Sequence, residues 1–138
     1  MQLRNYCAGL SPLGDGYMGG GMRFRPRDFM KLCQLYLDGG VWHARRILIV
    51  DWGKISTVPR YRMSPLLKDG YLWWMIEYPY QGRSVQALFA SGNAGNEVVV
   101  IPALGLVMAV YGGNCNKAAG YSLVKDLIAR YIRPAIER

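Results

Sequence analysis

Residues 71–111 read YLWWMIEYPYQGRSVQALFASGNAGNEVVVIPALGLVMAVY, and this stretch decides the fold. Its apolar period is two, the spacing of a pleated strand. Tyr71–Tyr78 is rich in aromatic residues, and Ser84–Ser91, Glu97–Ile101 and Leu106–Tyr111 follow at short intervals. The connections Pro79–Arg83, Gly92–Asn96 and Pro102–Gly105 are hairpin-sized and contain Gly or Pro. Strands joined this way run antiparallel, so a four-stranded meander is expected. Glu97–Ile101 does not alternate, which predicts a strand covered on both faces.

Toward the N-terminus, Pro26 suits a first helical turn, where its missing N–H leaves nothing unsatisfied. Phe29, Leu32, Cys33, Tyr36 and Leu37 then repeat at the spacing of one buried helical face, and Asp38-Gly39-Gly40 ends it. Asp51 is expected to cap a short helix from Trp52 to about Ser56. Val58–Gly70, with Pro59, Pro65 and several charges, reads as loop. Toward the C-terminus, Tyr121, Val124, Lys125, Leu127, Ile128 and Tyr131 describe an amphipathic helix halted near Pro134. The class is therefore α+β: an antiparallel β meander with packed helices. Residues 1–138 are expected to form a single partial domain, with a Gly-rich irregular lead (1–25), a helical and loop part (26–70), and the antiparallel sheet with its closing helix (71–138). The closing helix can cover one sheet face, and the first helix only part of the other. Such a sheet is incomplete, and apolar pairs such as Trp73/Met75 or Trp74/Ile76 would favour self-association.

Composition narrows the classes. Hydrophobic residues make up 51% of the 138, enough for a core and against wholesale disorder. The longest apolar run is broken by Pro and Gly, so no membrane span is expected. Residues 1–14 do not read as a signal peptide. Seventeen basic against nine acidic residues give +8, but the densest group, Arg23, Arg25, Arg27 and Lys31, reads as a solvated surface. Nucleic acid is not an expected partner; a basic binder using Tyr78, Tyr80 and Arg83 is the least favoured alternative. Three cysteines without a C-x-x-C pair, and a lone His43, argue against a zinc site, and Cys33 reads as a buried thiol. No metal or cofactor is expected, since phosphate-binding and dinucleotide fingerprints are missing.

One segment carries chemistry. At Phe89-Ala90-Ser91-Gly92-Asn93-Ala94-Gly95-Asn96 a strand ends in Ser-Gly and turns through Asn-Ala-Gly. Gly at a strand end lets a ligand approach the backbone. The next N–H is in place to act as an oxyanion donor.

In its order of elements the chain resembles the C-terminal part of a serine β-lactamase-like hydrolase, closest to the class C β-lactamases and their esterase and penicillin-binding relatives. The resemblance rests on Gly19-Gly20-Gly21-Met22 with Arg25-Pro26-Arg27-Asp28-Phe29, on Leu35-Tyr36-Leu37-Asp38-Gly39-Gly40-Val41-Trp42 with Arg46-Ile47-Leu48 and Asp51-Trp52, and on Gly70-Tyr71-Leu72-Trp73-Trp74. It continues through Ala90–Asn96, Val100-Ile101-Pro102 and Leu106-Val107, covering about Gly16 to the end. It implies that Ala90-Ser91-Gly92 stands at the family's third catalytic motif, Lys-Thr-Gly or His-x-Gly. Ser91 would then take the hydroxyl position, Gly92 the glycine, and the Asn93 N–H the oxyanion-donor role, with Ser91 meeting substrate on the same side. Ala90 departs from the pattern, since it supplies neither cation nor imidazole. The family's nucleophile motif, Ser-x-x-Lys, and its Tyr-x-Asn motif are missing from the expected positions. Ser122-Leu123-Val124-Lys125 matches the first literally, but in the closing helix, and reads as coincidence.

The resemblance thus implies the C-terminal portion of a hydrolase for a small ester, amide or β-lactam, inactive alone. The N-terminal half would come from the same or a second chain. A homodimerising, non-catalytic module is the alternative. The compartment is not set, although relatives are often periplasmic or exported.

Overall fold

In a computed structural model describing residues 6–17, 20–113, 115 and 119–136, the period-two stretch forms four neighbouring strands of a larger sheet than expected. Its six strands are β3 (Tyr61–Arg62), β4 (Leu67–Gly70), β5 (Trp73–Tyr80), β6 (Arg83–Gly92), β7 (Asn96–Ile101) and β8 (Leu106–Val110). They lie side by side in chain order, each antiparallel to the next. The protein is α+β. Residues 58–70, expected to be loop, supply β3 and β4 instead. Both are short and lack a clean alternation, so their partner strand selects the extended form rather than any local preference.

β5 begins at Trp73, two residues later than expected, because Tyr71 and Leu72 make the turn from β4. Their φ angles are 48° and 70°, as in a two-residue hairpin whose twist matches the strands it joins. Gln81-Gly82, at φ 46° and 73°, turns β5 into β6 in the same way. Pro79 lies inside β5, opposite Ser84 and next to the closing pair Tyr80–Arg83. Its missing N–H faces the side where β4, paired only with residues 73–76, does not reach.

Ahead of the sheet, the lead folds back on itself, the Cys7 and Arg23 backbones exchanging hydrogen bonds of 3.0 and 2.8 Å. Gly19, part of the expected flexible triplet, lies outside the described residues. Helix α1 (Pro26–Leu37) follows, with the buried Asp28 of its first turn paired to Lys31. The Gly40 N–H donates to the Leu35 carbonyl (2.8 Å) as the chain leaves through Gly39 and Gly40 at positive φ. A small hairpin, β1 (Val41–Trp42) with β2 (Arg45–Arg46), leads to α2 (Trp52–Ser56). Asp51 does not cap α2 with its side chain: its backbone is already helical (φ −97°, ψ −6°).

Both faces of the sheet are covered. On one, Cys33 of α1 joins Trp73, Met75, Leu88, Val98 and Val100, flanked by Phe29, Tyr36 and Leu37. On the other, Val124 and Ile128 join Tyr80, Val85, Ala87, Phe89, Val99 and Ile101. These belong to the closing helical segment, in which α3 (Ala119–Leu127) passes through a π-helical turn (Ile128–Ile132) into α4 (Arg133–Ile136). The helix therefore does not halt near Pro134. The wider turn lets the proline enter as the second residue of a new helical segment, where it breaks no hydrogen bond. The Tyr121 side chain lies outside the described residues. The bare sheet face anticipated from Trp73 and Met75 is absent, since α1 buries both. β7 is covered on both sides, as its unbroken apolar run implied.

Candidate functional site

The three expected site residues close β6. In register, Ala90 faces Val98, Ser91 faces Glu97 and Gly92 faces Asn96, and a tight turn over Asn93–Gly95 joins the strands. Ala94 sits at φ 71° and Gly95 at φ 79°. A left-handed alanine costs roughly 1–2 kcal/mol, so the turn is held from outside. The Asn93 side-chain oxygen accepts the Ala94 N–H (2.8 Å), and the Asn96 side-chain amide donates to the Asn93 carbonyl (2.7 Å). From beyond β8, the Gly112 N–H donates to Asn96 Oδ1 (3.3 Å), and a Cβ at Gly112 would lie 2.2 Å from the Ala94 carbonyl oxygen. Only a glycine lets the chain pass there.

Gly92 is different. Its φ of −114° and ψ of 174° suit any residue. A Cβ there would meet Asn96 at no less than 3.6 Å, which is ordinary contact. The fold therefore does not require glycine at 92, and a side chain would fit there in ordinary contact with Asn96.

The pleat separates the expected pair. Ala90 packs toward α1 and Phe89 toward the closing helix, so by the period of two Ser91 shares the closing-helix face and Gly92 the other. The alternation places the Ser91 side chain on the closing-helix face, while backbone N–H groups lie in the plane of the sheet. Ser91 Oγ donates to Glu97 Oε1 (3.1 Å) across the ladder. Glu97 is only 5% exposed, and burial pushes its carboxyl above the usual range, with the Ser91 hydrogen bond and the Lys125 charge opposing. Tyr78, on the same face, is raised by burial and then by the Glu97 charge. Leu67, Trp74, Phe89, Ser91, Glu97 and Lys125 line a cleft of about 280 Å³.

Glu97 and Lys125 were not singled out as site residues in the sequence. The available signal was the carboxylate that opens an otherwise apolar strand directly across from Ser91. Ser122 is exposed on α3, while Lys125 lines the cleft.

The groups of the nucleic-acid alternative do not form a platform. Tyr80 is buried in the core, and Arg83 lies over its ring at 5.7 Å. Among the described residues, no three His, Cys, Asp or Glu gather as metal ligands would, and no helix is long and apolar enough to cross a membrane. No protein-family model matches the chain, and no curated protein matches it.

Proposed function

We propose that this chain is the C-terminal portion of a β-lactamase-like serine hydrolase acting on a small ester, amide or β-lactam. In this reading the end of β6 is the oxyanion side of the site. The observation that carries it is the contrast around Gly92: the following turn is locked in a costly conformation, while Gly92 itself is free of any packing reason to be glycine. A fixed backbone next to a glycine that packing does not demand suits a developing oxyanion, since a preorganised donor needs no rearrangement during reaction. The order of motifs quoted from the sequence supports the same reading. The nucleophile and general base come from another segment, in the same chain or a partner chain. An oxyanion donor without them retains only residual catalysis.

The test uses a reconstituted full-length hydrolase. Gly92→Val, whose side chain would block the approach to the Asn93 N–H, is expected to lower acylation on the order of a hundredfold, as large as the usual loss of one oxyanion donor, with circular dichroism unchanged. An unchanged acylation rate in a folded variant rejects the assignment. The chain alone is expected to be inert toward chromogenic esters and cephalosporins. Turnover abolished by Ser122→Ala would instead make the Ser122/Lys125 pair a nucleophile and reject the reading.

A further inference from the structure

We propose that the cleft beneath the closing helix binds a small organic cation, an ammonium or amidinium group carried on a flat apolar body. This site shares Ser91 with the end of β6 but does not depend on the hydrolase reading.

Three observations carry it. First, the Glu97 carboxylate is buried, yet among the described residues its one hydrogen bond is from Ser91 and no cation lies within ion-pair distance. A buried charge in that condition gains strongly from an incoming partner. Second, the walls beside it are Trp74, Phe89 and Leu67. Aromatic faces attract cations through their quadrupole and accept flat apolar groups, whereas they give an anion nothing. Third, β5, β6 and β7 are central strands with both neighbours paired, so carboxylate and walls are held on a rigid base. At about 280 Å³ the cleft is of small-molecule size, near the lower end of ordinary ligand pockets.

Lys125 is the opposing element. It lines the same cleft, and its charge lowers the carboxyl of Glu97 without reaching it as an ion pair. Its presence disfavours any cation entering, so the proposal makes an unusual demand: removing this lysine must strengthen binding.

The experiment is a nuclear magnetic resonance titration of the chain with benzylamine and with benzyl alcohol, its neutral counterpart, following the Trp74 indole. Benzylamine is expected to bind at least about tenfold tighter, the difference a charge-assisted hydrogen bond makes. Equal affinities would reduce the cleft to an apolar hollow and overturn the proposal, and this comparison needs no variant. Glu97→Gln is expected to bring benzylamine down to the level of benzyl alcohol. Lys125→Ala is expected to tighten benzylamine about two- to fivefold, as removal of a screened like charge should. Weaker binding in Lys125→Ala, or undiminished binding in a folded Glu97→Gln, would overturn the assignment.

Discussion

The same strands present two unlike faces. Toward α1, β5–β7 offer Trp73, Met75, Leu88, Val98 and Val100, and the buried Cys33 thiol they meet is pushed up to about 12. Toward the closing helix, the residues one position along include Tyr78, Ser91 and Glu97, with Lys125 opposite and a cleft between. One face is dry packing; the other buries a carboxylate among aromatic rings. Because the period is two, a slip of one residue in register would exchange them entirely. The contrast shows how one sheet can pack a continuous apolar core on one face and bury a carboxylate on the other.

The largest expected effect tests the packing half of that contrast. Met75→Ala, at a side chain 1% exposed, should cost about 2–5 kcal/mol in denaturant melts. Leu67→Ala, beside the open cleft, should cost about 1 kcal/mol or less, since no closed cavity results. Equal losses would erase the distinction between a filled face and a hollow one.

The next prediction concerns pH. The folded chain holds the Glu97 proton more tightly than the unfolded chain, whose reference value is 4.5. The contribution of protonated Glu97 is therefore fully present below that value. It is lost as pH rises through the raised folded value, and is flat above it. Glu97→Gln should remove this decline and exceed the parent in stability at pH 7. Urea melts at pH 4 and pH 7 would show it; a parallel decline in the variant would mean that the titrating group lies elsewhere.

The smallest effect is chemical rather than energetic. Cys7 and Cys115 are exposed and Cys33 is buried. Under native conditions a thiol reagent should label Cys7 and Cys115 promptly and reach Cys33 only on unfolding. Prompt labelling of all three would mean that the α1 face opens as readily as the other.

Much of this was legible in the sequence. The strands from Trp73 to Val110 and the two main helices announced themselves through apolar period, because each buries a continuous face. β3, β4 and the Tyr71-Leu72 turn did not. Their residues carry weak or contrary local preferences, and pairing with β5 decides their conformation. Asp51 misled, since a residue of capping type in the right place still needs non-helical backbone to cap. Within the candidate site, the strand-end glycine marked where β6 closes, and Ser91 and Gly92 do end that strand. The cleft could not, because Glu97 reads as the head of a strand and Lys125 as helix surface, and only packing makes them neighbours.

The strictly sequential strand order carries a consequence for how the molecule is made. Every ladder from β3 to β8 joins segments adjacent in the chain, through turns of two to four residues. No strand waits for a distant partner, so loop-closure entropy stays low and the sheet can zip up as it leaves the ribosome. α1, made before the sheet, must wait for β7 and β8 before its apolar face is covered. The closing helix is made after the sheet, and Glu97 stays in water until it arrives. The burial that distinguishes this carboxylate then follows the pairing of the strands, dependent on a helix made after them.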